Sequence, residues 1–461
     1  MSLANRALFA RHALLPEGWR EDVLLEWDER GDLSAALAGM EAPAGVEQAD
    51  YVLPGMTNLH SHAFQRAMAG LVEQAGDTKD SFWTWRELMY RFAGRITPEQ
   101  MEAVASQLHV ECLRHGYTGI CEFHYVQRDQ DGELYANPAE TALRIAEAAR
   151  QSGIGLTLLP VMYSYAGFGE QPLKPAQKRF RTDPELVLRI VDKLEALRGP
   201  QLEVGAAPHS LRAASGGQLR DLVAGMPAGR PLHIHIAEQQ LEVQQCLDAT
   251  GMRPVDYLMR EVEVDRRWCL VHATHLSESE TAALAASGAC AGLCPTTEAN
   301  LGDGLFPLAP YIAAGGVFGI GSDSHVSQSA VEELRWLEYG QRLAQQQRNI
   351  AVAIGGNEDC RDVGTYLWRQ ALRGGAQASG RAVGSLAAGR RADLLVLDSA
   401  HPNLDGVDSH EVLGRFLFCG NDNLVRDVLA GGRWVVRGGR HVEQDAIARR
   451  YTAAVRALRS M

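Results

Sequence analysis

The chain has 461 residues, of which 46% are hydrophobic and 22% charged, and its formal net charge is -12. That is a globular composition with ample apolar surface for a core, while the acidic balance argues against general nucleic-acid binding, which depends on neutralising phosphates. No run reaches the ~18 apolar residues of a membrane span, and the N-terminal MSLANRALFARHALLPEGW carries no secretory pattern, so a cytoplasmic protein without nucleic-acid or membrane partners is expected.

Residues 1–54 read as short strands and turns, RALFARHALLP and DVLLEWDERGDLSAAL. From residue 55 the pattern changes to short apolar runs alternating with helical stretches. Eight strands are expected, MTNLHSH (56–62), YTGICEFHY (117–125), IGLTLLPVMY (154–163), LEVGAAPHS (202–210), PLHIHIAE (231–238), RWCLVHATH (267–275), ACAGLCPTT (289–297) and GVFGIGSDS (316–324). Several are almost continuously apolar before a polar tip, as in a parallel sheet buried on both faces. PEQMEAVASQLHVECLRHG, AETALRIAEAARQSG, PELVLRIVDKLEALRG and SESETAALAASG between them have helical periodicity. This strand-helix alternation is that of a (β/α)₈ TIM barrel, an α/β fold, over residues 55–381. The Gly/Pro-rich gap SYAGFGEQPLKPAQKRF suits an active-site lid or a surface loop equally. Residues 382–461 return to strands and turns, RRADLLVLDSA and LVRDVLAGGRWVVRGGRHV. The two ends, 1–54 and 382–461, are expected to form one small composite β-sandwich domain. The 8 cysteines include no Cys-x-x-Cys pair and mostly stand in apolar runs, which fits reduced core thiols.

The chemistry gathers at the strand tips. His60 and His62 end the first strand, His209 the fourth, His235 the fifth with Glu238 three residues later, His272 the sixth and Asp323 the eighth. All strands of such a barrel point their C-terminal ends at one mouth. Residues i and i+2 of a strand face the same way, so both members of His60-x-His62 can point inward. Three imidazoles and a carboxylate suit one first-row divalent ion, zinc by default and iron or manganese also. Each residue alone has a plainer role. His272 would be a satisfied core histidine, Asp323 a turn or cap residue, and Glu238 a solvated residue of a first helical turn. His115 reads as a helix end, His325 as loop, and His233 as structural. The coincidence of tips argues for a site.

LPGMTNLHSHAFQ, HIHIAE, LVHATHL and GIGSDSH together resemble the amidohydrolase superfamily, as do GSLAAGRRADLLVLD and VLAGGRWVVRGGR at the C-terminal end. Strand four ends in APHSLR without the lysine of binuclear members, and HIAE is similar to the mononuclear deaminase branch. The resemblance implies His60, His62, His235 and Asp323 as ligands of one metal ion. It implies a metal-bound hydroxide as nucleophile, with Asp323 taking a proton from the water, His272 holding the hydroxide and Glu238 protonating the substrate nitrogen. HSHAFQRAMAGL and DSFWTWRELMY further resemble the family of formimidoylglutamate deiminases. That implies a small dianionic, amino-acid-derived substrate in a cytoplasmic enzyme of histidine degradation, a homodimer as superfamily members often are. Arg86 and Arg212 are expected on its carboxylates, with Gln65, Tyr125 and His209 also lining the substrate site. Arg66 is a competing cation close by in sequence. A deaminase acting on a purine or related ring amidine, and a non-catalytic metal-binding barrel, remain open alternatives.

Overall fold

The computed structural model describes residues 6–71, 73, 82–357 and 360–460. The first two residues of DSFWTWRELMY, Asp80 and Ser81, and the first five of the chain lie outside this set.

Four strands precede the barrel, β1 (Ala7–Leu15), β2 (Gly18–Trp27), β3 (Leu33–Leu37) and β4 (Glu47–Pro54). The barrel strands are β5 (Met56–Ser61), β6 (Tyr117–His124), β7 (Gly155–Met162), β8 (Leu202–Val204), β9 (Ala207–Pro208), β10 (Leu232–Ile236), β11 (Trp268–His272), β12 (Cys290–Leu293) and β13 (Val317–Ile320). Four more follow, β14 (Leu394–Leu397), β15 (Val425–Ala430), β16 (Arg433–Arg437) and β17 (Arg440–His441).

All eight expected barrel strands form. They pair in parallel as β5-β6-β7-β8 and β10-β11-β12-β13. Parallel bridges Ala206–Leu232 and Ser210–His235 join these groups on one side, and Ser61–Asp323 joins the first strand to the eighth on the other. The fourth strand is broken into β8 and β9. A side chain on Gly205 would meet the Pro231 carbonyl, with an ideal Cβ 2.4 Å from its oxygen, so the chain passes close to the start of β10 there. The expected helices also form, two of them behind capping boxes. Thr97 and Gln100 form a capping box ahead of Pro98–Arg114, and Ser277 and Glu280 form one ahead of Glu278–Ser287.

The last strands pair with the first ones. The order is β17-β16-β15-β14-β4-β1-β2-β3, with β14 antiparallel to β4. This continuous sheet covers a second core, containing Leu8, Leu25, Trp27, Val52, Leu394 and Leu429, distinct from the barrel's. The C-terminal segment differs from an all-strand reading. It also holds helices Ser409–Phe418 and Gln444–Arg459. Their apolar residues Phe416, Leu417, Val455 and Leu458 recur at helical spacing and are buried with the barrel's core.

One helix, Val363–Ser379, approaches the barrel closely. A Cβ on Gly374 would lie 1.9 Å from the Phe318 carbonyl oxygen in β13. No helix among the described residues is long and apolar enough to cross a membrane.

Candidate metal-dependent active site

The tips of β5, β10 and β13 converge on one point. His60 Nε2 lies 3.2 Å from His62 Nε2 and 2.9 Å from His235 Nε2. Asp323 Oδ1 lies 3.5 Å from His60 Nε2 and 3.3 Å from His62 Nε2. Ligands about 2.1 Å from a single tetrahedral ion stand about 3.4 Å apart, so the four donors fit one ion. Their hydrogen bonding agrees. His62 Nδ1 donates to Phe123 O at 3.0 Å, and His235 Nδ1 donates to His209 O at 3.0 Å. Each ring is thereby held with a lone pair at Nε2 facing the common point. Burial holds His60 down to about 3 and pushes His62 and His235 below their usual value, so all three are neutral donors near pH 7.

The strand tips reach this geometry through left-handed backbone. Ala237, His272, Ala273, Asp323 and His325 have φ of 50°, 67°, 49°, 45° and 62°. Such conformations cost non-glycine residues about 1–3 kcal/mol each and persist only where the surroundings impose them. Here they turn the chain sharply out of the tips of β10, β11 and β13.

Glu238 and His272 stand beside the quartet. His272 Nε2 is 3.7 Å from Glu238 Oε1 and 3.8 Å from Asp323 Oδ2. Its other nitrogen, Nδ1, is 3.3 Å from Glu298 Oε1. Burial opposes a charge on His272, but Glu238, the Glu298 hydrogen bond and Asp323 raise its pKa to about 10. Burial pushes the Glu238 carboxyl up to about 7, against the pull of His272 and Arg212. Glu298 had no signal in the sequence, because it stands in the first turn of a short helix after β12 where acidic residues are ordinary.

Above the donors lies a cavity of about 520 Å³ including its mouth. Gln65, Arg86, Tyr125, His209, Arg212, Glu238, His272 and Asp323 all line it, with His62 and His235 at its base. His60 lies beneath them, fully buried. Gln65 Nε2 donates to Tyr125 Oη at 2.8 Å. The His209 ring packs between Tyr163, at 4.5 Å between centroids, and His235, at 4.9 Å. Arg212 is buried, and the Arg86 guanidinium lies 5.5 Å from the Tyr90 ring centre. The competing cation is spoken for elsewhere, since Arg66 pairs with both oxygens of Glu111 at 2.7 and 3.1 Å.

The three histidines set aside in the sequence fall outside the donor set. His233 donates from Nε2 to Ala378 O at 2.8 Å, and His115 closes its helix through Nδ1 to Glu111 O at 2.8 Å. His325 is in a loop, yet it is buried behind the site, 3.1 Å from Ser61 Oγ and 3.0 Å from Ser322 Oγ. The cavity also has walls that the sequence did not single out, Trp85, Met89, Tyr90, Tyr163, Phe180 and Leu301. Tyr163 carried a usable signal, as it ends the third strand run just as His209 ends the fourth. Phe180 closes the Gly/Pro-rich gap, whose last six residues form a 3₁₀ turn, Pro175–Phe180, built into the cavity wall.

A profile of the amidohydrolase family matches residues 51–435. The chain belongs to the amidohydrolase family. A formimidoylglutamate deiminase of Pseudomonas aeruginosa is 53% identical over 446 residues, which cover 96% of this amidohydrolase and 98% of that protein. An 8-oxoguanine deaminase of the same organism is 28% identical over 431 residues, covering 88% and 87% of the two chains. Among solved structures, an amidohydrolase from Brucella melitensis has a TM-score of 0.93 at 44% identity over 98% of this chain and 99% of that one. An adenosine deaminase from Xanthomonas campestris, solved with bound zinc, shares the fold at a TM-score of 0.80 and 21% identity, covering 99% and 98%. Zinc is thus bound in a solved structure of the same fold, and the present chain brings a His₃Asp donor set together at the mouth of its barrel.

Proposed function

We propose that this amidohydrolase hydrolyses N-formimino-L-glutamate to N-formyl-L-glutamate and ammonia, a step of histidine degradation. The observation that carries the reading is the 53% identity, across 96% of the chain, to the Pseudomonas formimidoylglutamate deiminase. The cavity agrees with it. Arg86 and Arg212 line the pocket directly above the metal donors, and a substrate with two carboxylates calls for such cations.

His60, His62 and His235 through Nε2, with Asp323, would hold one divalent ion, zinc in this proposal. When bound, the ion is a Lewis acid that makes water a nucleophile near neutral pH. Asp323 turns Oδ1 to the histidines and Oδ2 to His272, which leaves Oδ2 to take a proton from the attacking water. His272 Nε2, cationic between Glu238 and Asp323, offers its hydrogen to the attacking oxygen as charge develops there. Glu298 holds its other nitrogen and so keeps Nε2 facing the cavity. Glu238, which its burial keeps partly protonated near pH 7, gives its proton to the imine nitrogen. Water adds to the formimino carbon and the bond from that carbon to the protonated imine nitrogen breaks. The carbon keeps the oxygen as a formyl group once the hydroxyl proton has left it, and the nitrogen leaves as ammonia after a second proton reaches it through Glu238. The two protons that nitrogen gains thus equal the two that water loses, the first of them through Asp323. Gln65, Tyr125 and His209 fix the substrate's orientation by hydrogen bonds.

The same reading divides the chain into a barrel, 55–381, and a β-domain from 1–54 and 382–461, supported by the two separate cores. It also keeps the cytoplasmic, homodimeric state that the family resemblance implies. The test is ammonia release by the purified protein from N-formimino-L-glutamate, guanine and adenosine. Turnover of the linear amidine alone is expected, with loss in Glu238→Ala while metal is retained. Turnover of a purine alone would overturn the reading.

A further inference from the structure

The short turn Pro175–Phe180 ties together two walls of the cavity through a single buried amide. Gln177 is fully buried. Its Nε2 donates to Tyr163 Oη at 2.9 Å and to Tyr90 Oη at 3.1 Å. Its Oε1 accepts from Lys174 N at 2.9 Å, and this bond decides which way the amide faces. A flipped amide would set its NH₂ group against the Lys174 N–H and lose that bond.

The two tyrosines come from different elements. Tyr90 lies on the helix Phe82–Ala93, one turn beyond Arg86, whose guanidinium lies over its ring. Tyr163 follows β7 and packs on His209. The neighbouring Arg179 strengthens the attachment, donating to the carbonyls of Ala93 and Ile96 just beyond Tyr90. Both tyrosines line the cavity beside Arg86, His209 and Arg212.

The direction of these hydrogen bonds has a chemical effect. A tyrosine hydroxyl has one hydrogen and can also accept. An amide NH₂ can only donate, so Tyr90 and Tyr163 both act as acceptors toward Gln177. Their own two hydrogens must therefore go elsewhere. The hydroxyls also interact with each other, which uses at most one of the two. At least one hydrogen remains for a group in the cavity.

We propose that Gln177 is a positioning residue for substrate recognition. By donating to both tyrosine oxygens it turns the Tyr90–Tyr163 pair into a hydrogen-bond donor toward a carboxylate of the substrate, and it holds the wall that carries Arg86. The inference rests on the dianionic substrate proposed above. It assigns Gln177 no contact with the substrate or with the reacting atoms.

The test is steady-state kinetics on the metal-loaded protein, with Tm and metal content measured for every variant. Gln177→Met should raise KM for N-formimino-L-glutamate about tenfold, the scale of one or two hydrogen bonds, and leave kcat within about twofold. Tyr90→Phe/Tyr163→Phe should raise KM similarly, and adding Gln177→Met to that pair should cost nothing more, because the residues act as one unit. Gln177→Glu keeps the oxygen that binds Lys174 N but accepts a hydroxyl hydrogen, so it should raise KM further than Gln177→Met. It is also the second variant if the methionine substitution fails to fold. Independent effects of Gln177→Met and the double phenylalanine variant would overturn the proposal. So would a fall in kcat at unchanged KM, or wild-type KM in Gln177→Glu. Failure of the underlying reading is distinguishable, because the wild-type protein itself would then not turn over the substrate.

Discussion

Arg212 and Glu238 meet inside the cavity, with Nη2 3.9 Å from Oε2 and both side chains buried. The arrangement ties substrate recognition to proton donation. The guanidinium favours the ionised form of Glu238, while burial favours the protonated form and raises its pKa to about 7. Removing the cation therefore raises that pKa further. In Arg212→Gln, KM for a dianionic substrate should rise at least tenfold, about the worth of one charge-assisted hydrogen bond. The rate depends on protonated Glu238, so activity falls as pH rises through its pKa. The alkaline limb of the kcat/KM profile should accordingly move to higher pH in this variant. A limb that stays put would separate the two residues' roles.

The donor quartet predicts which variants lose metal. His60→Ala, His62→Ala and His235→Ala each remove one of the converging Nε2 atoms. They should lose metal and activity together, read by elemental analysis of the purified variants. Gln65→Ala, which removes a cavity-lining amide and partner of Tyr125 but none of the four donors, should keep its metal and show weaker substrate binding or turnover. Chelation of the wild-type protein should lower its Tm, since a ligand that binds only the folded state stabilises it. Full metal occupancy in the histidine variants would refute the assignment.

Acid should weaken the fold through histidines buried in neutral form. His233 lies far from solvent, and burial lowers its pKa from 6.5 to about 4. The unfolded chain takes up a proton near pH 6.5, whereas the folded chain resists until about pH 4. Stability from this residue is thus complete above pH 6.5 and is lost progressively as pH falls toward 4. His124, lowered to about 3, acts in the same sense. Tm measured between pH 7 and 4.5 should fall steadily, and His233→Gln should flatten part of that slope, whatever its effect at pH 7.

Gly374 is set by the close approach of its helix to β13. A Cβ there would lie 1.9 Å from Phe318 O, and backbone cannot yield as a flexible side chain can. Gly374→Ala should therefore destabilise the protein by about 2 kcal/mol or more despite alanine's better helix propensity. Thermal unfolding gives the measurement, and an unchanged Tm would mean that the helix can shift outward freely.

The sequence by itself determined the barrel and, through its family resemblance, pointed to the four donors that the fold brings together. Apolar runs ending in polar tips marked several of the eight strands, because buried parallel strands need apolar residues on both faces. His60 and His62 were legible as a pair because side chains alternate along a strand, whereas His235 and Asp323 were told apart from His209 and His272, which also end barrel strands, only by the family resemblance. The helices of the C-terminal segment were readable in principle, since Ile447, Ala454, Val455 and Leu458 repeat at helical spacing and are buried, but the Gly-rich strands around them dominated the pattern. Only the tertiary structure decided the rest. It settled that Arg66 turns to Glu111 while Arg86 and Arg212 line the cavity, that Glu298 reaches His272, and that Gln177 bridges Tyr90 and Tyr163. The physical reason is that these contacts run between separate βα connections. Periodicity along one strand or helix tells which side of that element a residue faces, whereas the meeting of two loops depends on the path each takes over the barrel mouth.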